Sequence, residues 1–148
     1  MSITQDRQEI ADLLLRYTGA LDRSEWDAVR TVFTDEPDID FGPMGSWKGA
    51  DAVGGFIDTF SGLLEQTGTK PGHILHRTSN QTITLAGDDA EVRTYLDALL
   101  LTGFNEAGLQ AIGYYDDHLV RTAAGWRVDR RRFTIVRMGP IGAVQDGP

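Results

Sequence analysis

The sequence predicts a single-domain α+β fold, on three observations. Apolar residues recur with a helical period through the first 64 residues and with a period of two from His73 onward. Helices therefore gather early and strands late, instead of alternating as βαβ units. At 148 residues the chain suits one domain, because a chain of this length can bury ~70 % of its extended surface around one core.

The first helix rests on Ile10, Leu13, Leu14, Tyr17 and Leu21, spaced i, i+3, i+4, i+7 and i+11. Thr4 is the expected N-cap, and Asp22 falls at or just past the C-terminal end. The helix dipole disfavours a carboxylate there unless a cation or hydrogen-bond donor faces it. Ser24 and Asp27 read as a capping box opening a short second helix, with Trp26, Val29 and Phe33 inward. Pro37 blocks continuation, and Ile39 and Phe41 alternate with Asp38 and Asp40 as a short strand. Gly42, Pro43 and Gly45 form a turn that lets Trp47 pair back, leaving Trp47 either in the core or at a pocket rim. A third helix starts near Asp51, carries Val53, Phe56, Ile57, Phe60, Leu63 and Leu64 on one stripe, and ends at Gly68 and Pro71.

Four strands follow at about 73–85, 90–104, 109–121 and 126–137, separated by turn clusters. Such a sheet, covered by two amphipathic helices, is expected to curl into a cone with an apolar cavity suited to a small ligand. The domain is expected over residues 1–138, with a loose tail at 139–148.

Charge and composition exclude several functions. A formal charge of −8 and an isoelectric point near 4.7 argue against nucleic acid and anionic membranes, which need clustered Lys and Arg. The chain has no cysteine, hence no disulfide and no thiol nucleophile. It also lacks an apolar leader or membrane-length run, so the expected location is the cytoplasm. His73 and His76 lie three apart on a strand, point to opposite faces and make a metal site unlikely on spacing. No metal and no cofactor is expected.

Three stretches carry a family resemblance: YTGALDRSEWDAVRTVFTDEPDIDF from Tyr17, HRTSNQTITLAGDDAEVRTY from His76, and GYYDDHLVRTAAGWRVDRRRF from Gly113. Together they resemble the SnoaL-like branch of the nuclear-transport-factor-2-like superfamily. The resemblance implies a cone-shaped α+β barrel, often dimeric, with its pocket between helices and concave sheet. In scytalone-dehydratase-like and hexachlorocyclohexane-dehydrochlorinase-like members, a strand histidine pairs with an aspartate ending the first helix; those positions are His76 and Asp22. An imidazole of ordinary pKa ~6.5 is a base near neutral pH, and a carboxylate on its other nitrogen fixes its tautomer. Similarity to bile-acid-dehydratase-like members adds Tyr17, five residues before Asp22, and Asp97, with Tyr95, Asp97 and Leu99 on the pocket face. Phe56, Trp47, Tyr115 and Arg131 are the further pocket candidates. The expected activity is cofactor-independent proton transfer, dehydration before isomerisation, on a small apolar, aromatic or polycyclic compound bearing a hydroxyl or carbonyl. A non-catalytic binding or assembly subunit is the alternative, and a homodimer the expected assembly.

Overall fold

The computed structural model describes residues 2–146. Helix α1 spans Ile3–Asp22, α2 Trp26–Arg30 and α3 Ala52–Thr67. The strands are β1 Phe33–Asp40, β2 Ser46–Lys48, β3 Ile74–Ala86, β4 Asp89–Leu101, β5 Gly108–Thr122 and β6 Gly125–Ile141. A 3-10 turn at Gly42–Met44 links β1 to β2.

The N-cap of α1 is Ser2 rather than Thr4: its hydroxyl accepts from the Gln5 N–H while the Gln5 side chain accepts from the Ser2 N–H. Gly19 does not interrupt the helix, since Ile10, Leu13, Leu14, Tyr17 and Leu21 are all buried and packing outweighs one glycine. The capping box expected at Ser24 does not form. Ser24 adopts a left-handed φ of 54° in the tight α1–α2 connection, and Glu25 precedes α2 without a side-chain cap. α3 ends on Gly68, whose φ of 67° is the left-handed C-cap conformation that glycine adopts without penalty.

The six strands form one sheet in the order β2-β1-β6-β5-β4-β3. β1 runs parallel to β6 and every other pair is antiparallel. The sheet curls without closing, because β2 and β3 remain its two edges. β1 begins at Phe33, earlier than the sequence suggests, and Pro37 sits where its register against β6 shifts between Phe33 and Asp38. A second irregularity lies between Ile112 and Gly113 of β5, where β6 accommodates an extra residue. There a Cβ on Gly113 would collide with the Thr134 carbonyl oxygen, so only glycine lets the two strands bend this closely.

The concave face carries the core. Val92, Leu96, Ala98 and Leu100 of β4, Tyr115 and Leu119 of β5, and Trp126, Val128 and Phe133 of β6 meet the apolar faces of α1 and α3. Trp26, expected in the core, only packs part-buried against it. β6 continues through Ile141, whose partner is Gly108, and the Val144 N–H donates to the Asn105 carbonyl. The segment expected to be loose from 139 therefore begins as sheet; residues 147–148 lie outside the described residues. Among the described residues no helix is long and apolar enough to cross a membrane.

Candidate active site

Asp22 and His76 meet where the end of α1 crosses β3. The Asp22 Oδ1 lies 2.6 Å from His76 Nδ1, and the His76 backbone N–H donates to both carboxylate oxygens at 3.1 and 3.2 Å. A carboxylate only accepts, so Nδ1 carries the ring proton and Nε2 is left as the basic nitrogen. These donors also compensate an acid at the unfavourable end of the helix dipole. The His76 side chain is 5 % exposed and that of Asp22 24 %.

His76 borders an apolar cavity of about 30 Å³ between α3 and the concave sheet. Phe60 stands beside the imidazole at 5.9 Å between ring centres, and Leu96, Ala98, Leu100 and Phe133 form much of the remaining wall. Among the described residues His76 is the one ionisable side chain in that lining. The space holds a water or two, far below the ~300 Å³ at the lower end of ligand pockets, so a ligand has to displace side chains to enter.

Asp97, Tyr95 and Leu99 lie on the opposite face of β4 from this cavity, which corrects the expectation for that strand. Asp97 accepts from Arg77 Nη2 at 2.6 Å on the convex side, and Tyr95 is 44 % exposed there. A one-residue phase error turns a whole strand inside out. The start of β4 carried the correct phase: Asp89, Glu91 and Arg93 alternate with Ala90 and Val92, and pairing with β5 is unbroken to Leu101.

Tyr17, Tyr115 and Arg131 are buried next to the cavity without lining it. Arg131 donates from Nε and Nη2 to the two oxygens of Asp117 at 2.7 and 2.8 Å. Its guanidinium carbon lies 4.2 Å from the Tyr17 ring centre and 3.9 Å from that of Tyr115. Burial works against the Arg131 charge, but the Asp117 carboxylate outweighs it and holds the pKa above the ordinary value. Burial likewise pushes the Tyr17 and Tyr115 phenols up, Tyr115 most. Among the described residues no partner meets full hydrogen-bond geometry for the buried Tyr17 Oη or Arg131 Nη1, although the Arg131 guanidinium and the Tyr115 hydroxyl both act on the Tyr17 phenol.

Phe56 stacks between Tyr17 and Phe60, and Trp47 is half-buried against Phe41 and Phe56, so both support the cavity from behind. Sequence reasoning passed over Met44, Leu63 and Met138 as lining residues. Only the helical stripe signalled Leu63; nothing local signals the two methionines. Among the described residues no three His, Asp or Glu side chains converge on a common point.

Residues 2–132 match the SnoaL-like domain family. The chain belongs to that family. The uncharacterised protein Rv2910c of Mycobacterium tuberculosis is 32 % identical over 127 residues, covering 85 % of this chain and 82 % of the relative. Among solved structures, a candidate aromatic ring hydroxylase from Novosphingobium aromaticivorans is 26 % identical with a TM-score of 0.74, over 97 % of this chain and 96 % of that one. A candidate scytalone dehydratase from the same organism superposes with a TM-score of 0.79 at 17 % identity, over 98 % and 93 %. The hexachlorocyclohexane dehydrochlorinase LinA, type 2, gives 0.79 at 14 % identity, over 98 % and 95 %. The last two similarities establish the shared fold of this SnoaL-like chain.

Proposed function

We infer that this SnoaL-like protein is a cofactor-independent lyase or isomerase that moves a proton on a small, largely apolar compound carrying a hydroxyl or carbonyl. The observation that carries the reading is the 2.6 Å contact between Asp22 and His76 at the wall of an otherwise apolar cavity. Nε2 takes a proton from a carbon beside the oxygen function, and Asp22 stabilises the imidazolium that results. With Asp97 outside the cavity, His76 itself returns the proton. In dehydration the C–H and C–O bonds break, a C=C bond forms, and the imidazolium protonates the departing hydroxyl as water. In isomerisation the same proton goes back to a different carbon. The names of the two fold neighbours, a candidate scytalone dehydratase and a dehydrochlorinase, belong to the same broad chemistry.

The absence of a second ionisable group from the cavity lining favours one alternative, a small-molecule binding protein in which His76 only reads its ligand. Incubation in D₂O with a panel of apolar hydroxy and keto compounds separates the two. Deuterium appearing at carbon, or an alkene product, that disappears in His76→Ala supports the enzyme. A ligand retained at full affinity with neither exchange nor product identifies the binding protein.

A further inference from the structure

A second, open groove lies directly outside the His76 cavity. It has a volume of about 360 Å³ and is bounded by Asp58, Thr59, Gly62 and Gln66 of α3 together with Met44, Leu63 and Met138. The last three residues also line the inner cavity, so they are the partition between the two spaces. Met44 belongs to the 3-10 turn and Met138 lies near the end of β6, paired with Ala111 of the inner wall. Unbranched thioether side chains turn among rotamers at low cost and fill whatever gap remains, which suits a movable partition. Gly62 sits mid-helix, where glycine is a poorer helix former than alanine. A Cβ at Gly62 would meet nothing within 4 Å, so core packing does not require the glycine. Its consequence is an unobstructed groove.

We propose that groove and cavity are two halves of one ligand site, entered between α3 and the end of β6 and joined when Met44 and Met138 swing aside. Together they reach the volume range of small-molecule pockets, which the inner cavity alone does not. The ligand is an elongated molecule whose apolar end passes the methionines toward His76. Its other end stays at the mouth against Asp58, Thr59 and Gln66, and is polar but not anionic, because the mouth holds a carboxylate and the chain carries a charge of −8. This deepens the acid–base reading above and rests on it only for what His76 does once the ligand has arrived.

The test uses the uncharged probe N-phenyl-1-naphthylamine and protein labelled with ¹³C at the methionine methyls. Met44 and Met138 then report on the partition. Saturable binding should shift the Met44 and Met138 methyls. Gly62→Trp should weaken binding at least tenfold. The anionic 1-anilinonaphthalene-8-sulfonate should bind at least fivefold more weakly than the neutral probe. No binding by the parent, binding that leaves both methyls unshifted, or a Gly62→Trp variant that folds and binds within twofold of the parent overturns the shared site. Equal affinity for the sulfonate overturns the assignment of the outer end. Intact probe binding in a protein without turnover counts against the acid–base reading alone.

Discussion

Asp117 and Arg131 form a two-pronged ion pair in which both side chains are at most 1 % exposed, with the guanidinium between the rings of Tyr17 and Tyr115. Two charges cost several kcal/mol each to desolvate, and the match of fork to carboxylate plus the aromatic faces offset that cost. Removing one partner strands the other in an apolar core. Asp117→Ala should therefore lower stability by about 3–5 kcal/mol, read as a lower urea midpoint at pH 7. Replacing both, as Asp117→Leu with Arg131→Met, should cost much less than the sum of the single changes.

Tyr17 tests the same cluster from the other side. Its hydroxyl is fully buried and meets no partner at full hydrogen-bond geometry among the described residues, so Tyr17→Phe removes a desolvated polar group and keeps the ring contacts. Stability at pH 7 should be equal or slightly higher. The folded pKa values of Tyr17 and Tyr115 are raised by burial, so the native state keeps protons that the unfolded chain releases near pH ~10. Stability is then full below that pH and falls as pH rises above it. Urea unfolding at pH 8 and pH 11 should show a smaller alkaline loss in Tyr17→Phe than in the parent.

A clamp at the far end of α1 governs the acid limb. Asp6 accepts from Arg121 Nη1 and Nη2 at 2.7 and 2.9 Å and from Trp126 Nε1 at 3.0 Å. These hydrogen bonds, Arg121 first and Trp126 next, bring its pKa down to about 2 from an ordinary 3.8. A lowered folded pKa gives stability that is complete above the unfolded value and lost as pH falls through the folded one. The parent should lose this contribution between about pH 4 and pH 2. Asp6→Asn should be less stable at pH 6 and flatter across that window, as followed by tryptophan fluorescence.

The sequence made the architecture legible because its two periodicities are clean. The stripes of α1 and α3 and the turns at Gly87 and Gly125 fix four strands and two long helices to within a few residues. The pairing of His76 with Asp22 was accessible only through family resemblance, since 54 residues separate them and no local rule brings them together. The inner face of β4 was misjudged because Tyr95-Leu96-Asp97-Ala98-Leu99-Leu100-Leu101 is apolar at both parities, so it carries no phase of its own. Met44 and Met138 were invisible for another reason. Their proximity follows from where β6 ends relative to the turn after β1, and the expected last strand, ending at 137, stopped short of Met138.

Asp22 offers the sharpest separation of structure from chemistry. In Asp22→Asn the amide oxygen can stand where Oδ1 stands and accept from both the His76 backbone N–H and Nδ1–H, so the α1–β3 crossing should persist. Stability should change little, because the neutral imidazole keeps its hydrogen bond. What disappears is the negative charge that stabilises the imidazolium formed during proton transfer. An amide turned the other way would also present its N–H₂ to Nδ1 and move the ring proton to Nε2, removing the base altogether. Both effects lower the rate, by ~10²- to 10⁴-fold where general-base catalysis carries the reaction. Asp22→Ala should match that loss and add a destabilisation, since the His76 backbone N–H then loses its acceptor as well. The ¹⁵N resonances of the His76 ring provide the independent readout: a protonated Nδ1 and an unprotonated Nε2 in the parent at high pH, and a mixture of tautomers in Asp22→Asn. A variant that shows the mixture yet exchanges deuterium into substrate at the parental rate would refute His76 as the base.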